Sequence, residues 1–247
     1  MQLLLRRAWF VLALCALTLF WGLVATLAAL LRPRGSAFIR CGRSWARGLL
    51  AAAGVEVRVD GLGHLEPDCS YIFVCNHQSH FDVLALLHAL PFDLRAVTKQ
   101  ELARVPLFGW ALTAAGFIFV DRSNRERAIA SLKRAGEILR SGRSILYFAE
   151  GTRSPDGSLL PFKKGGFVMA LETETPIVPV AITGSRQVLP KHALSLQPGS
   201  IRVRTMPPLS TAGRGVEARD ALIAETRQAI EQGKRELSRV PEPAGSA

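Results

Sequence analysis

Acidic residues are absent from the first 55 positions of this 247-residue chain, where Glu56 is the first to occur. The net charge is +11 at neutral pH, and seven arginines that precede Glu56 carry most of it. Basic residues that flank an apolar helix indicate attraction to anionic lipid head groups. The sequence has no module of interleaved basic and aromatic residues, so we expect no nucleic-acid partner. The seven are Arg6, Arg7, Arg32, Arg34, Arg40, Arg43 and Arg47.

Charge of either sign is missing between Ala8 and Leu31. As a helix this segment is ~36 Å long, enough to cross a hydrocarbon core of ~30 Å. A cleaved signal peptide is the alternative, but the apolar run is too long and it continues into Arg32-Pro33-Arg34 without a small-residue cleavage site. The segment is therefore predicted to be a retained membrane anchor. Because arginines flank both ends, the sequence leaves open whether it spans the bilayer or enters one leaflet.

Cysteine is scarce, with four residues and no Cys-x-x-Cys spacing. This pattern predicts buried, reduced thiols and a cytoplasmic main domain. The sequence also lacks a Gly-x-Ser-x-Gly elbow, which argues against a serine nucleophile. A thiol nucleophile at Cys75, two residues before His77, remains an alternative, although a small buried strand residue is the simpler interpretation.

Residues 36–53 are predicted to form a second helix, which Gly54 ends. Its apolar stripe lies beside an arginine stripe, a pattern typical of helices at a membrane surface. An ordinary helix packed on the domain, with a solvated arginine face, is the alternative. The apolar stripe comprises Phe38, Cys41, Trp45, Leu49 and Ala52, and the basic one Arg40, Arg43 and Arg47.

Beyond Gly54, short apolar segments alternate with helical patterns, which predicts an α/β fold. We expect a mostly parallel mixed sheet flanked by helices, with an N-terminal membrane-attachment helical hairpin. The predicted domains are membrane-anchoring helices at 1–54, the α/β domain at 55–215, and a polar helix and tail at 216–247. Predicted strands are 55–59, 71–75, 94–98, 117–120, 144–148, 177–182 and 201–204, and predicted helices 80–90, 100–115, 123–141, 166–172 and 216–237.

A histidine and an aspartate follow the strand at 71–75, where the sequence reads Asn76-His77-Gln78-Ser79-His80-Phe81-Asp82. An imidazole can accept a proton at neutral pH, and a carboxylate on its other nitrogen fixes the tautomer and stabilises the imidazolium. Such a pair can remove a proton from an alcohol. The alternative is a capping box, in which Asp82 only satisfies the backbone donors of the first helical turn.

Cationic residues follow the other predicted strands. Arg122 ends one strand, Glu150-Gly151-Thr152-Arg153 follow the next, and Lys163 and Lys164 precede a helix. Ligands of open α/β sheets bind beyond the carboxyl ends of strands. Arginine forks and helix N-termini suit phosphate oxygens. The sequence thus predicts a phosphate-bearing substrate. For each cluster taken separately, the alternative is that its arginines form surface ion pairs and its lysines are solvated.

These blocks resemble those of the glycerolipid acyltransferase family. The chain is most similar to its bacterial members that acylate 1-acyl-sn-glycerol-3-phosphate, over roughly residues 55–185. Asp121 just before the arginine of the second block is a departure from the pattern. The matching segments are Asn76-His77 with Asp82, Gly116 to Arg122, Glu150-Gly151-Thr152-Arg153 and Ile177-Val178-Pro179-Val180, with Lys99-Gln100-Glu101-Leu102, Pro106 and Gly109 between the first two.

The resemblance implies transfer of a fatty acyl group from acyl-CoA or acyl-carrier protein to the sn-2 hydroxyl of lysophosphatidic acid, giving phosphatidic acid in phospholipid biosynthesis. His77 would be the general base and Asp82 its partner. It also implies a partner membrane surface, no cofactor, and an inner-membrane location with the catalytic domain on the cytoplasmic side. The substrate phosphate would be bound by Arg122, Glu150, Gly151, Thr152 and Arg153, with Asn76, Lys99, Lys163 and Lys164 as secondary candidates.

Other functions stay open at this point. The acceptor could be another lysolipid that members of the same family acylate, such as a lyso-ornithine lipid. His77, His80 and Asp82 could ligate a metal in a hydrolase, although their cationic flanks argue against it and we expect no metal. A non-catalytic, lipid-binding membrane protein would need only the basic hairpin.

Overall fold

The computed structural model describes residues 2–31, 36–105, 108–120, 125–191 and 195–239. The helices are α1 Gln2–Leu31, α2 Ala37–Ala53, α3 Phe81–Ala89, α4 Phe108–Ala114, α5 Arg125–Arg140, α6 Gly165–Glu172, α7 Ser185–Val188 and α8 Arg219–Arg239. The strands are β1 Val55–Asp60, β2 Ile72–Cys75, β3 Leu94–Lys99, β4 Ile118–Val120, β5 Ser144–Phe148, β6 Ile177–Thr183 and β7 Gly199–Thr205. Short 3₁₀ helices cover Leu62–His64, Gln100–Arg104 and Val216–Ala218.

The strands form one sheet in the order β1-β7-β6-β2-β5-β3-β4. Of the pairings described, β6 with β7 is antiparallel and the others are parallel. The predicted fold class, a mostly parallel mixed sheet flanked by helices, is therefore confirmed. β2 lies in the middle, between β5 and β6, so the segment that follows it emerges near the centre of the sheet edge.

Helices cover both faces of the sheet, and β2 shows how its sequence allows this. Phe73 and Cys75 pack on one side with α2 and α3, whereas Ile72 and Val74 pack on the other with α5, α6 and α8. A strand buried on both faces needs a continuous apolar run rather than an alternating one. The helix α8 contributes Leu222 and Ile230 to this core. The domain boundaries proposed from the sequence stay a prediction.

The helix α1 packs against α2 along part of its length. Trp45 donates a hydrogen bond from its indole nitrogen to the hydroxyl of Thr18, at 3.0 Å, and the side chain of Leu17 lies against Gly48. The rest of α1 exposes large apolar side chains. Its segment Leu4–Ala28, with a mean hydropathy of 2.3, is long and apolar enough to cross a membrane by length and composition.

One member of the predicted basic stripe on α2 faces inward. Arg43 is half-buried and donates hydrogen bonds to the carbonyls of Leu90 and Phe92, each at 2.8 Å, just beyond the end of α3. Arg40 and Arg47 are exposed. Carbonyl groups at the end of a helix lack partners within that helix, and Arg43 supplies donors near the end of α3. The alternative of an ordinary helix packed on the domain therefore describes part of α2.

Smaller differences separate the predicted and observed elements. β7 starts at Gly199, two residues earlier than expected, and the short helix α7 was not predicted. The segment 100–115 contains a 3₁₀ helix and α4, as its proline and glycine suggested. The predicted capping box at Ser123-Asn124-Arg125-Glu126 depends on Ser123 and Asn124, which lie outside the described residues.

Candidate active site

His77 lies two residues beyond the end of β2, in the turn that leads into α3. Its Nδ1 atom is 2.8 Å from Oδ2 of Asp82, which lies in the first turn of that helix. The Asp82 side chain is fully buried, whereas that of His77 is 15% exposed. With Nδ1 occupied by the carboxylate, Nε2 is the ring nitrogen that can exchange a proton with a ligand.

The carboxylate of Asp82 also holds the turn. Its Oδ2 atom accepts the backbone N–H groups of Gln78 at 2.6 Å and Ser79 at 2.8 Å. Its Oδ1 atom is buried and has no hydrogen-bond partner within the described residues. The capping and catalytic interpretations are therefore compatible, because one oxygen serves both the helix start and the imidazole.

Asn76 is a fully buried link between strands. Its amide oxygen accepts the N–H of Ile182 at 2.8 Å and its amide nitrogen donates to the carbonyl of the same residue at 3.0 Å. Both bonds join the end of β2 to β6, beyond the last paired residues of the two strands. A buried side chain with both polar ends occupied is a support for the turn rather than a group presented to a ligand.

The ring of His77 stacks on that of Phe148, the last residue of β5, with 4.0 Å between centroids and 25° between planes. Sequence reasoning missed this contact. The signal available was an aromatic residue at the end of a buried strand, two residues before Glu150. The stacking restricts rotation of the imidazole, so Asp82 and Phe148 together define its orientation.

Glu150 is nearly buried, and both of its carboxylate oxygens accept backbone N–H groups. Oε1 accepts the N–H of His77 at 2.8 Å and Oε2 accepts that of Leu160 at 3.0 Å. Burial raises the pKa of Glu150, while these two hydrogen bonds partly oppose the rise. Glu150 therefore holds the backbone of His77 and the backbone of Leu160 in place.

The residues after Glu150 form the rim of the site. Gly151 has a φ of 69°, a left-handed conformation that favours glycine, and Thr152 is exposed. Arg153 is partly exposed, and in the described parts of the chain its guanidinium has no hydrogen-bond partner. Desolvation lowers the pKa of His80, and the positive charge of Arg153 lowers it further, so Arg153 lies near this turn.

The predicted lysines differ in position. Lys99 is exposed at the end of β3. Lys163 lines a cavity described below, whereas Lys164 is exposed and lies 3.8 Å from the carboxylate of Asp220, as an ordinary surface pair would. Arg122, predicted to bind phosphate, lies outside the described residues.

An apolar cavity of about 350 Å³ opens beside Phe148 and Gly151. Its wall consists mainly of apolar side chains from three strands and two helices, so its interior is largely hydrophobic. The aromatic ring stacked on His77 is also part of the wall, which joins the cavity to the dyad. The other main wall residues are Val97, Ile118, Val120, Ala135, Tyr147 and Met169.

Two alternative chemistries can be compared with this geometry. Cys75 is fully buried, and burial raises the pKa of its thiol well above the ordinary value, which disfavours a thiolate nucleophile. No group of three His, Cys, Asp or Glu side chains that could hold a metal ion occurs in the described part of the chain. The expectation of no metal stays a prediction.

Comparisons with known proteins give consistent results. A family model described as Acyltransferase matches residues 56–183. The protein named 1-acyl-sn-glycerol-3-phosphate acyltransferase alpha from Mus musculus is 34% identical over 187 residues, which cover 75% of this chain and 66% of that protein. A protein named 1-acyl-sn-glycerol-3-phosphate acyltransferase from Limnanthes douglasii is 36% identical over 159 residues, covering 64% of this chain and 56% of that protein.

A solved structure extends the likeness to nearly the whole chain. The crystal structure of the 1-acyl-sn-glycerophosphate (LPA) acyltransferase from Thermotoga maritima superposes with a TM-score of 0.85 at 26% identity, covering 98% of each chain. By contrast, the matched region is just under two thirds of the length of the mouse protein. The likeness to the solved structure therefore includes the parts of this chain outside residues 56–183.

Proposed function

This chain belongs to the acyltransferase family, and from that membership we propose that it acylates lysophosphatidic acid. The acyl group passes from an acyl thioester, acyl-CoA or acyl-carrier protein, to the free sn-2 hydroxyl, and the product is phosphatidic acid for phospholipid biosynthesis. The observation that carries the proposal is the 2.8 Å contact between His77 and Asp82 at the sheet edge. Arg153 lies near the same turn, and Phe148, which stacks on His77, lines an apolar cavity.

In this reaction His77 is the general base. Its Nδ1–H donates to Asp82, and its Nε2 removes the proton of the sn-2 hydroxyl as the oxygen attacks the thioester carbonyl. The tetrahedral intermediate then expels the thiolate, which takes the proton from the imidazolium to leave as a thiol. Each proton and bond is accounted for without an acyl-enzyme, in agreement with the burial of Cys75.

The acceptor phosphate is bound by cationic groups at the rim. Arg153 offers a planar fork for phosphate oxygens, and the backbone at Gly151 and Thr152 allows close approach. Arg122 has the same proposed role on sequence grounds. Glu150 supports this region by holding the backbone of His77 and Leu160.

The apolar cavity is proposed to hold an acyl chain. It begins at Phe148, beside the imidazole, and its wall consists mainly of aliphatic and aromatic side chains. Burial of methylene groups in such a cavity contributes ~0.8 kcal/mol each. A chain that enters here would keep its reactive end near His77.

The enzyme is proposed to work at the cytoplasmic face of the inner membrane. α1 inserts through its exposed apolar residues, and Arg40 and Arg47 of α2 contact anionic head groups. A second group of exposed apolar residues comprises Leu102 in the Gln100–Arg104 segment, Val105 directly after it and Trp110 in α4. Because α4 contacts α1, this group extends the same membrane-facing surface.

A transfer assay with the purified full chain in detergent tests the proposal. The acceptors are lysophosphatidic acid, a phosphate-free monoacylglycerol and a lyso-ornithine lipid, each with acyl-CoA and with acyl-carrier protein as donor. We expect turnover with lysophosphatidic acid and at least tenfold less with the phosphate-free acceptors, since a lost charged hydrogen bond costs about 1.5–3 kcal/mol. Equal turnover of all three, or preference for the lyso-ornithine lipid, would reject the acceptor assignment.

A further inference from the structure

The C-terminal helix α8 lies outside the segment that matches the family model. It nevertheless contacts the loop at residues 157–162, whose Leu160 binds Glu150. Arg227 donates one hydrogen bond to the carbonyl of Leu159 at 2.9 Å and another to that of Leu160 at 3.0 Å. Its guanidinium carbon lies 5.5 Å from the centroid of the Phe162 ring. Glu231, one turn further along the helix, lies 3.1 Å from the same guanidinium. These contacts fix the side chain of Arg227 against residues 159–162.

Lys234 provides a second contact two turns later. Its ammonium donates to the carbonyl of Gly157 at 2.6 Å. Gly157 itself donates its N–H to the hydroxyl of Ser154 at 3.0 Å, which closes the turn after Arg153. Burial lowers the pKa of Lys234, and the negative charge of Glu150 is the largest influence that opposes the lowering. Lys234 is therefore close enough to act on Glu150 through its charge as well as on the turn.

The same loop holds the backbone of His77 on both sides. Leu160 donates its N–H to Oε2 of Glu150, and Oε1 of Glu150 accepts the N–H of His77. Ser154 donates its N–H to the carbonyl of His77 at 2.7 Å. A displacement of residues 154–160 would therefore move His77 at its N–H, its carbonyl or both.

The helix is a rigid support for this purpose. Leu222 and Ile230 are fully buried in the core beneath the sheet. At Gly233 a methyl group would lie 2.8 Å from Cβ of Ala181, so the helix is in direct contact with β6. The neighbouring Ile182 is the residue that holds Asn76. α8 thus meets the His77 turn through the loop and also through β6.

We propose that Arg227 and Lys234 are positioning residues, which hold residues 157–160 so that Glu150 keeps His77 at the acceptor hydroxyl. This inference rests on the proposed function, and it adds a part of the chain that lies beyond the matched family segment. Neither side chain is proposed to touch substrate. The effect of Arg227 passes through the two carboxylate hydrogen bonds of Glu150, because Arg227 holds Leu160 and the N–H of Leu160 donates to that carboxylate. Lys234 acts on Glu150 through its charge and on the turn at Ser154, which donates to the carbonyl of His77.

The test compares kcat and KM of Arg227→Met, Arg227→Lys and Lys234→Met with the wild type in the lysophosphatidic acid assay. Arg235→Met is the matched control, because Arg235 is exposed on the same helix and makes no hydrogen bond to residues 157–162 in the described structure. We expect Arg227→Met to lower kcat about tenfold with KM for the acceptor within about twofold, since misplacement of a catalytic group from a distance costs up to ~10²-fold. Arg227→Lys should recover part of the loss, Lys234→Met should lower kcat about fivefold, and Arg235→Met should match the wild type.

A double variant separates positioning from general stability. If Arg227 acts through Glu150, Arg227→Met should lower kcat much less in a Glu150→Gln background than in the wild type. Equal losses in both backgrounds, or wild-type kcat for Arg227→Met at a temperature where it is folded, would overturn the inference. If Arg227→Met does not fold, Arg227→Lys alone and with Glu150→Gln decides by the same criteria. An inactive wild type would instead reject the proposed function.

Discussion

The Oδ2 atom of Asp82 lies 2.8 Å from Nδ1 of His77, and the same oxygen accepts the N–H groups of the two residues that follow His77. One buried oxygen therefore sets both the conformation of the turn and the orientation of the imidazole. The consequence is that the shape of this turn and the basicity of the site depend on a single carboxylate.

Replacing Asp82 with Asn should separate these two roles. The amide oxygen can still accept the backbone N–H groups, but it lacks the charge that stabilises an imidazolium during proton transfer. We expect kcat to fall by roughly 10⁴-fold, as in other His-Asp pairs, with a circular dichroism spectrum like that of the wild type. Asp68→Asn, at an exposed aspartate, is the control and should keep full activity. Retention of more than a tenth of kcat by Asp82→Asn would show that the pair does not act in catalysis.

Replacing Glu150 with Gln should lower activity and change how stability depends on pH. A glutamine has one oxygen, so its NH₂ group must face one of the two N–H donors of His77 and Leu160. An unsatisfied buried donor costs about 1–3 kcal/mol. We expect a lower unfolding midpoint and at least a tenfold lower kcat, measured by thermal unfolding and by the transfer assay.

The pH dependence has a defined sign. Burial raises the pKa of Glu150 above that of the unfolded chain, so its contribution to stability is fully present below the unfolded pKa and is lost as pH rises through the folded pKa. Thermal unfolding at several pH values above about 4.5 should show the advantage of wild type over Glu150→Gln shrinking as pH rises. For Glu56, a hydrogen bond from Arg58 lowers the pKa. The advantage of wild type over Glu56→Gln should therefore stay constant above about pH 4.5 and shrink only as the pH falls below it. A gap that widens with pH for Glu150→Gln would mean that folding lowers the pKa of this carboxyl instead of raising it.

Local sequence was sufficient for the parts of this structure that local chemistry determines. The short, uninterrupted apolar segments at β2 and β6 predicted strands, and the short turn between a strand and a helix predicted that His77 and Asp82 lie close together. Their separation of five residues leaves the backbone little freedom. The mostly parallel sheet followed from the alternation of strands and helices.

The parts that the sequence left undetermined depend on distant residues. The partners of Glu150 are 73 and 10 residues away in the chain, and periodicity has no information about such pairs. The stacking of Phe148 on His77 depends on the order of the strands, and the inward position of Arg43 depends on where α3 ends. An arginine on a helix face looks the same in sequence whether it meets lipid, solvent or a row of carbonyl groups.

Filling the apolar cavity should change which acyl chains are transferred. Ala135 on α5 is buried and lines the cavity, so Ala135→Leu would shorten the available space. We expect the ratio of kcat/KM for long over short acyl-CoA chains to fall about tenfold, the effect of excluding about two methylene groups at ~0.8 kcal/mol each. Assays with acyl-CoA of increasing length measure this ratio. Ala224→Leu, on an exposed position of α8, adds the same volume elsewhere and should leave the ratio unchanged. An unaltered ratio in Ala135→Leu would mean that the chain binds outside this cavity.

A charge at Trp110 should weaken the contact of the enzyme with membranes. Trp110 is 60% exposed on α4 and belongs, with Leu102 and Val105, to the proposed membrane-facing surface beside α1. Tryptophan is favoured at the level of lipid head groups, where a carboxylate is repelled by anionic lipid. With lysophosphatidic acid embedded in vesicles that contain anionic phospholipid, Trp110→Glu should raise the apparent KM about fivefold or more, because both apolar contact and charge are affected.

The same variant assayed with lysophosphatidic acid dispersed in detergent micelles should behave like the wild type, since the dyad and the rim are intact. Val216→Glu provides the matched control, because Val216 is also an exposed apolar residue, 42% accessible, and it lies at the start of the 3₁₀ turn that precedes α8. It should show wild-type kinetics with both forms of the acceptor. An equal loss for Trp110→Glu in micelles and vesicles would place the effect within the protein and not at the lipid surface.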